Sequence, residues 1–103
     1  MAYNGWTNYE TWNVALWIDN EPHTYAERRD LARRAFGVSQ YADSLCTWIR
    51  DWAPDLGATL WADLLGAALA EVNWDEIAEN WYAEEQGDVA ERAIAHANAE
   101  EDA

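Results

Sequence analysis

Lysine is missing from this 103-residue chain, and six arginines face twenty acidic residues, a formal net charge of −14. So little positive charge excludes direct DNA or RNA binding, whose affinity rests on neutralised phosphates. It also repels anionic membrane surfaces and favours fast association with basic partners. Cysteine is almost as scarce: Cys46 is alone, which excludes an internal disulfide and fits a reducing compartment. Beside Leu45 and Trp48 on a predicted helix, it reads as a small buried hydrophobe rather than a nucleophile. The opening MAYNGWTN has neither the basic nor the apolar segment of a signal peptide. No apolar run approaches the roughly 20 residues a membrane span needs. The expectation is a soluble, cytoplasmic protein.

Metal-binding and catalytic constellations are missing too. The two histidines, His23 and His96, have no second histidine nearby, neither fits His-Glu-x-x-His, and Ala93 stands where a di-iron Glu-x-x-His pattern needs glutamate. The run Asp75-Glu76 to Glu79 lacks the alternation of a calcium loop. Nothing pairs a nucleophile with a base at a recognisable spacing. The expectation is no catalytic residue, no metal, no cofactor and no enzymatic activity.

What the chain does have is aromatic mass and a lopsided charge. Eight tryptophans and five tyrosines accompany one phenylalanine and one methionine, and each aromatic can bury roughly 150–250 Å². A few of them suffice for the core of one small domain. Residues 1–50 carry six acids and five arginines, whereas 51–103 carry fourteen acids and Arg92. Solubility alone does not demand that asymmetry.

Periodicity and caps predict an all-α single domain, a bundle of five or six short helices with a Trp-rich core. An extended arm with an Asn4-Gly5 turn occupies 1–6. The first helix is expected over 7–20, opened by a Thr7/Glu10 capping box, with Trp12 and Leu16 as the hub of the core. A second helix over 24–36 starts at a Thr24/Glu27 box, turns Tyr25, Leu31, Ala32, Ala35 and Phe36 inward, and carries Arg28, Arg29, Arg33 and Arg34. These arginines are expected to pair within the chain or across a dimer.

The third helix, over 39–52, has a continuous stripe through Tyr41, Ala42, Leu45, Trp48, Ile49 and Trp52. A fourth, over 58–71, turns Leu60, Trp61, Leu64, Leu65 and Leu69 to one side. Asn73 with Glu76 caps a fifth helix running to Gln86, with Val72 and Ile77 as a hydrophobic staple. Gly87 breaks the pattern, a weaker sixth helix follows over 88–99, and 100–103 is expected to be a disordered acidic tail. Trp6, Trp17 and Trp74 are expected nearest the surface.

The run NGWTNYETWNVALW over 4–17, with Ala62-Asp63-Leu64-Leu65 and Glu71-Val72-Asn73-Trp74-Asp75-Glu76-Ile77-Ala78 downstream, resembles small proteins encoded by tailed bacteriophages and mobile elements. The resemblance implies that genetic context, with a host cell as the site of action, and brings no catalytic residue. Small acidic phage proteins in turn resemble the anti-restriction and anti-CRISPR inhibitors that present carboxylates where DNA phosphates would lie. In that reading the basic surface of a host protein is the partner, and Asp75, Glu76, Glu79, Glu84, Glu85, Asp88 and Glu91 bind it, extended by Asp51, Asp55, Asp63 and Glu71. The alternative is a non-enzymatic interaction or assembly module, a homodimer in one form, that uses tryptophans and the arginine helix as its contact surface.

Overall fold

The computed structural model describes residues 3–101, and the side chains of 3–87. Five helices follow in order: α1 Tyr9–Asn20, α2 Pro22–Arg34, α3 Val38–Trp52, α4 Leu60–Ala70 and α5 Trp74–Glu101. The fold is all-α, as the periodicity predicts. Ahead of α1, Asn4 (φ 47°) and Gly5 (φ 91°) form a two-residue turn with both central φ angles positive. This is the Asn-Gly hairpin geometry, closed by Tyr3 N–H donating to Trp6 O at 2.6 Å and Trp6 N–H to Tyr3 O at 2.8 Å.

Helix starts differ from expectation where distant residues compete for the capping groups. α1 is capped by Asn8, whose Oδ1 accepts from Thr11 N–H at 2.9 Å, and not by a Thr7/Glu10 box. The amide of Thr7 instead donates to Glu76 Oε1 at 3.0 Å. Asn8 Nδ2 donates to the Glu71 carbonyl at 2.7 Å, and Asn73 N–H donates to Thr11 Oγ1 at 2.9 Å. Three residues at the head of the chain, Thr7, Asn8 and Thr11, are thus tied to the entry of α5. Asn73 does cap α5, its Oδ1 taking the Glu76 amide at 3.1 Å.

α2 begins two residues earlier than expected, with Pro22 in its first turn, where the missing N–H costs no hydrogen bond. Thr24 is inside the helix, and its buried hydroxyl donates to the Ile18 carbonyl at 2.7 Å, which fixes the corner between α1 and α2. α2 ends at Arg34, so Ala35 and Phe36 fall outside it. Phe36, expected to face inward, is 94% exposed.

α3 packs along α5, and α2 lies against both. The centre of the core is Tyr41 and Leu45 of α3 with Ile77, Ala78 and Trp81 of α5. It is not Trp12 and Leu16: Trp12 is half-buried against Tyr3 and Tyr9, with ring centres 4.8 and 5.6 Å away, and Leu16 is exposed. Trp6 and Trp74, expected near the surface, are half-buried.

α5 also runs straight through Gly87 to Glu101, so the expected break and separate sixth helix are replaced by one long helix. One glycine costs a helix only about 1 kcal/mol, less than starting a new nucleus beyond it. The helix therefore takes in Glu100 and Glu101 of the expected tail; Asp102 and Ala103 lie outside the described residues.

Candidate functional site

The acidic residues expected to meet a partner have quite different surroundings. Glu85 lies on the inner stripe of α5, one turn beyond Trp81, and is 3% exposed. Its carboxylate accepts from Arg29 Nε at 3.0 Å and from Arg33 Nε at 2.7 Å. Withdrawal from water would raise its pKa, but the hydrogen bonds and charges of the two guanidiniums outweigh that and hold it below the ordinary value of 4.5. Glu85 is therefore a structural anion of the α2–α5 contact, and no partner can reach it.

Glu84 stays mostly exposed but lies 3.3 Å from Arg28 Nη2, and half-buried Glu76 is engaged by the Thr7 amide. Asp75 and Glu79 are exposed. The side chains of Asp88 and Glu91 lie outside the described residues. Of the possible extensions, Asp51, Asp55, Asp63 and Glu71 are all exposed.

The arginine helix turns inward as well. Arg28 is buried, its Nε donating to Asp19 at 2.7 Å, with its guanidinium 4.5 Å from the Trp81 ring centre and 4.7 Å from that of Tyr25. Such a position suits arginine's flat, weakly hydrated head. The Arg28 carbonyl accepts from the Tyr41 hydroxyl at 2.8 Å. Burial drives that phenol far above its ordinary range, partly offset by the nearby Arg28 charge. Arg34 meets Asp30 at 2.8 Å. The arginines of α2 thus pair within the chain, one of the two uses expected of them, with acids of α1, of α5 and of α2 itself.

The largest departure concerns α4. Leu69 is buried, but Leu60, Trp61 and Leu64 are exposed, Trp61 at 65%. Between α4 and the ends of α1 and α3 runs an open groove of about 350 Å³, lined by Val14, Trp17, Ile18, Ile49, Trp52 and Leu69. Trp17 and Trp52 stand at its edge, 62% and 63% exposed, with Trp52 stacked on Trp48 at 6.4 Å and 9° between planes. The sequence marks Trp17 as a surface residue, but it puts Trp52 in the continuous stripe of the third helix and gathers the α4 residues on one side without saying what covers them. The only signal of the groove is the excess of large apolar residues over what a domain this small encloses.

Among the described residues, no group of His, Cys, Asp and Glu converges as metal ligands would. Cys46 is half-buried and accepts a hydrogen bond from Arg50 Nε at 3.3 Å. No helix of the described residues is long and apolar enough to cross a membrane. Neither a curated protein nor a solved structure matches the chain. The model of a family of unknown function, DUF7249, matches residues 1–95, nearly the whole of the helical body, and the chain belongs to that family.

Proposed function

We propose that the chain is a non-enzymatic binding protein whose partner is a basic protein surface. The observation that carries this reading is the internal use of the arginines. Arg28, Arg29, Arg33 and Arg34 are bound to acids of the same chain. Asp51, Asp55, Asp63, Glu71, Asp75 and Glu79, by contrast, stand exposed without an ion pair among the described residues. Surface anions left uncompensated while cations are withdrawn set up a field that steers and selects a cationic partner.

In the phage or mobile-element context that the motifs resemble, the partner would be a host nucleic-acid-binding defence protein, met in the host cytoplasm. The carboxylates would stand in for phosphates, as in anti-restriction and anti-CRISPR inhibitors. Asp75 and Glu79, one turn apart on α5, are the first pair of that surface. Glu85 has no part in it.

The test is affinity capture from host lysate with the whole chain at about 0.05 and 0.2 M salt, a range over which exposed charges become screened. Partners should be retained at low salt, lost at high salt, and lost from an Asp75→Lys/Glu79→Lys double variant. The captured protein should release its DNA when the chain is added. Capture indifferent to both salt and charge reversal would sink the reading.

A further inference from the structure

We infer that the groove between α4 and the ends of α1 and α3 is the docking site for an amphipathic helix of the partner, apolar on one side and basic at its flanks. The inference rests on the reading of a basic partner and assigns that partner's apolar anchor a place.

The groove floor is Val14, Ile18, Ile49 and Leu69. Past Trp17 and Trp52 it opens into a second hollow of about 370 Å³ that reaches His23 and Thr24. Two apolar hollows in succession, both lined by Trp17 and Trp52, offer seats for the successive apolar anchors a helix presents to a groove. The exposed tryptophans are the residue type that most often carries binding energy in such contacts.

Charge decides the occupant. Glu21, Asp51 and Asp55 each line one of the hollows that share residues with this groove, all exposed and without an ion pair among the described residues. Arg50 is the one cation lining any of these hollows among the described residues. A second copy of the chain would set these acids against their own equivalents, with a single arginine from each copy to offset them. A helix with lysine or arginine beside its apolar stripe covers the groove and answers the rim together.

A library of random 16-residue peptides displayed on phage and panned against the immobilised whole chain tests this. Enriched peptides should carry apolar residues at helical spacing with net positive charge. As synthetic peptides they should bind Trp17→Asp and Trp52→Asp at least tenfold more weakly than the unmodified chain. Both positions are largely exposed, and circular dichroism verifies that each variant folds. Enrichment of neutral or acidic peptides, undiminished binding to both variants, or no enrichment at all would overturn the inference. So would sedimentation showing a dimer of the unmodified chain that either variant dissolves. Basic peptides lacking an apolar stripe, lost on Asp75→Lys/Glu79→Lys but kept by Trp52→Asp, would overturn it while leaving the basic-partner reading standing.

Discussion

Glu85 sits where a hydrophobic residue would be expected, because positions 77, 81 and 85 recur at helical spacing and Ile77 and Trp81 are core. That period was legible in the sequence; what hid the residue's role was its charge, which reads as an outer-face signal unless a cation is known to lie opposite. Removing one partner of a buried ion pair costs roughly 3–5 kcal/mol. Arg33 is about half-exposed and regains water when released, so Glu85→Gln should cost less, about 2–3 kcal/mol by that yardstick, measured by urea unfolding at pH 7.

The sign with pH follows from the lowered pKa. Folded Glu85 holds its proton less tightly than the unfolded chain does, so its contribution is complete above the ordinary value of 4.5 and disappears as pH falls through the lower folded value. The stability gap between the unmodified chain and Glu85→Gln should be constant from pH 7 to about 5.5 and close below about 4.5. A gap unchanged at pH 3 would mean that side-chain shape, and not the ion pair, is responsible.

At the level of elements, α5 is the informative case. Its start was legible because the cap is local: Asn73 and the amide it holds are three residues apart. The start of α1 was not, because the Thr7 amide and Thr11 hydroxyl bond to residues more than sixty positions away, and no window on the sequence contains both ends. This also gives the two motifs a physical reason to occur together, since one supplies the donors and acceptors the other uses. Continuity through Gly87 was illegible for the opposite reason: a lone glycine lowers helix propensity without forbidding helix.

A methyl group added at Gly87 would meet nothing within 4 Å. Gly87→Ala should therefore stabilise the chain by about 0.5–1 kcal/mol and deepen the helical circular dichroism signal. Loss of stability would mean that the residue serves as a break. α4 shows the limit of periodicity itself: the stripe from Leu60 to Leu69 is real, but a stripe states only that a face is apolar, and nothing local says whether this chain or another covers it.

For the molecule as a whole, the two kinds of ionic contact respond oppositely to salt, and their depth decides which dominates. Exposed acids such as Asp51, Asp55, Asp63, Asp75 and Glu79 repel one another across solvent, where screening operates over about 10 Å at 0.1 M. The attractive pairs of Arg28 and Glu85 are short and shielded from water, with side chains 5% and 4% exposed, so added salt reaches them least. Folding concentrates a net charge of −14 into a small volume, and compaction of so much like charge is opposed by self-repulsion. Sodium chloride, raised from about 0.02 to 0.5 M, should therefore stabilise the chain. A gain near 1 kcal/mol corresponds to a rise in melting midpoint of roughly 4–8 °C for a domain of this size. Binding of the proposed basic partner should weaken over the same range, because the repulsion relieved within the chain and the attraction such a partner would lose arise from the same exposed carboxylates. A midpoint that falls with chloride would show that the arginine pairs of α2 outweigh the surface repulsion; the Asp75→Lys/Glu79→Lys variant, carrying less like charge, should show a smaller salt-induced rise than the unmodified chain.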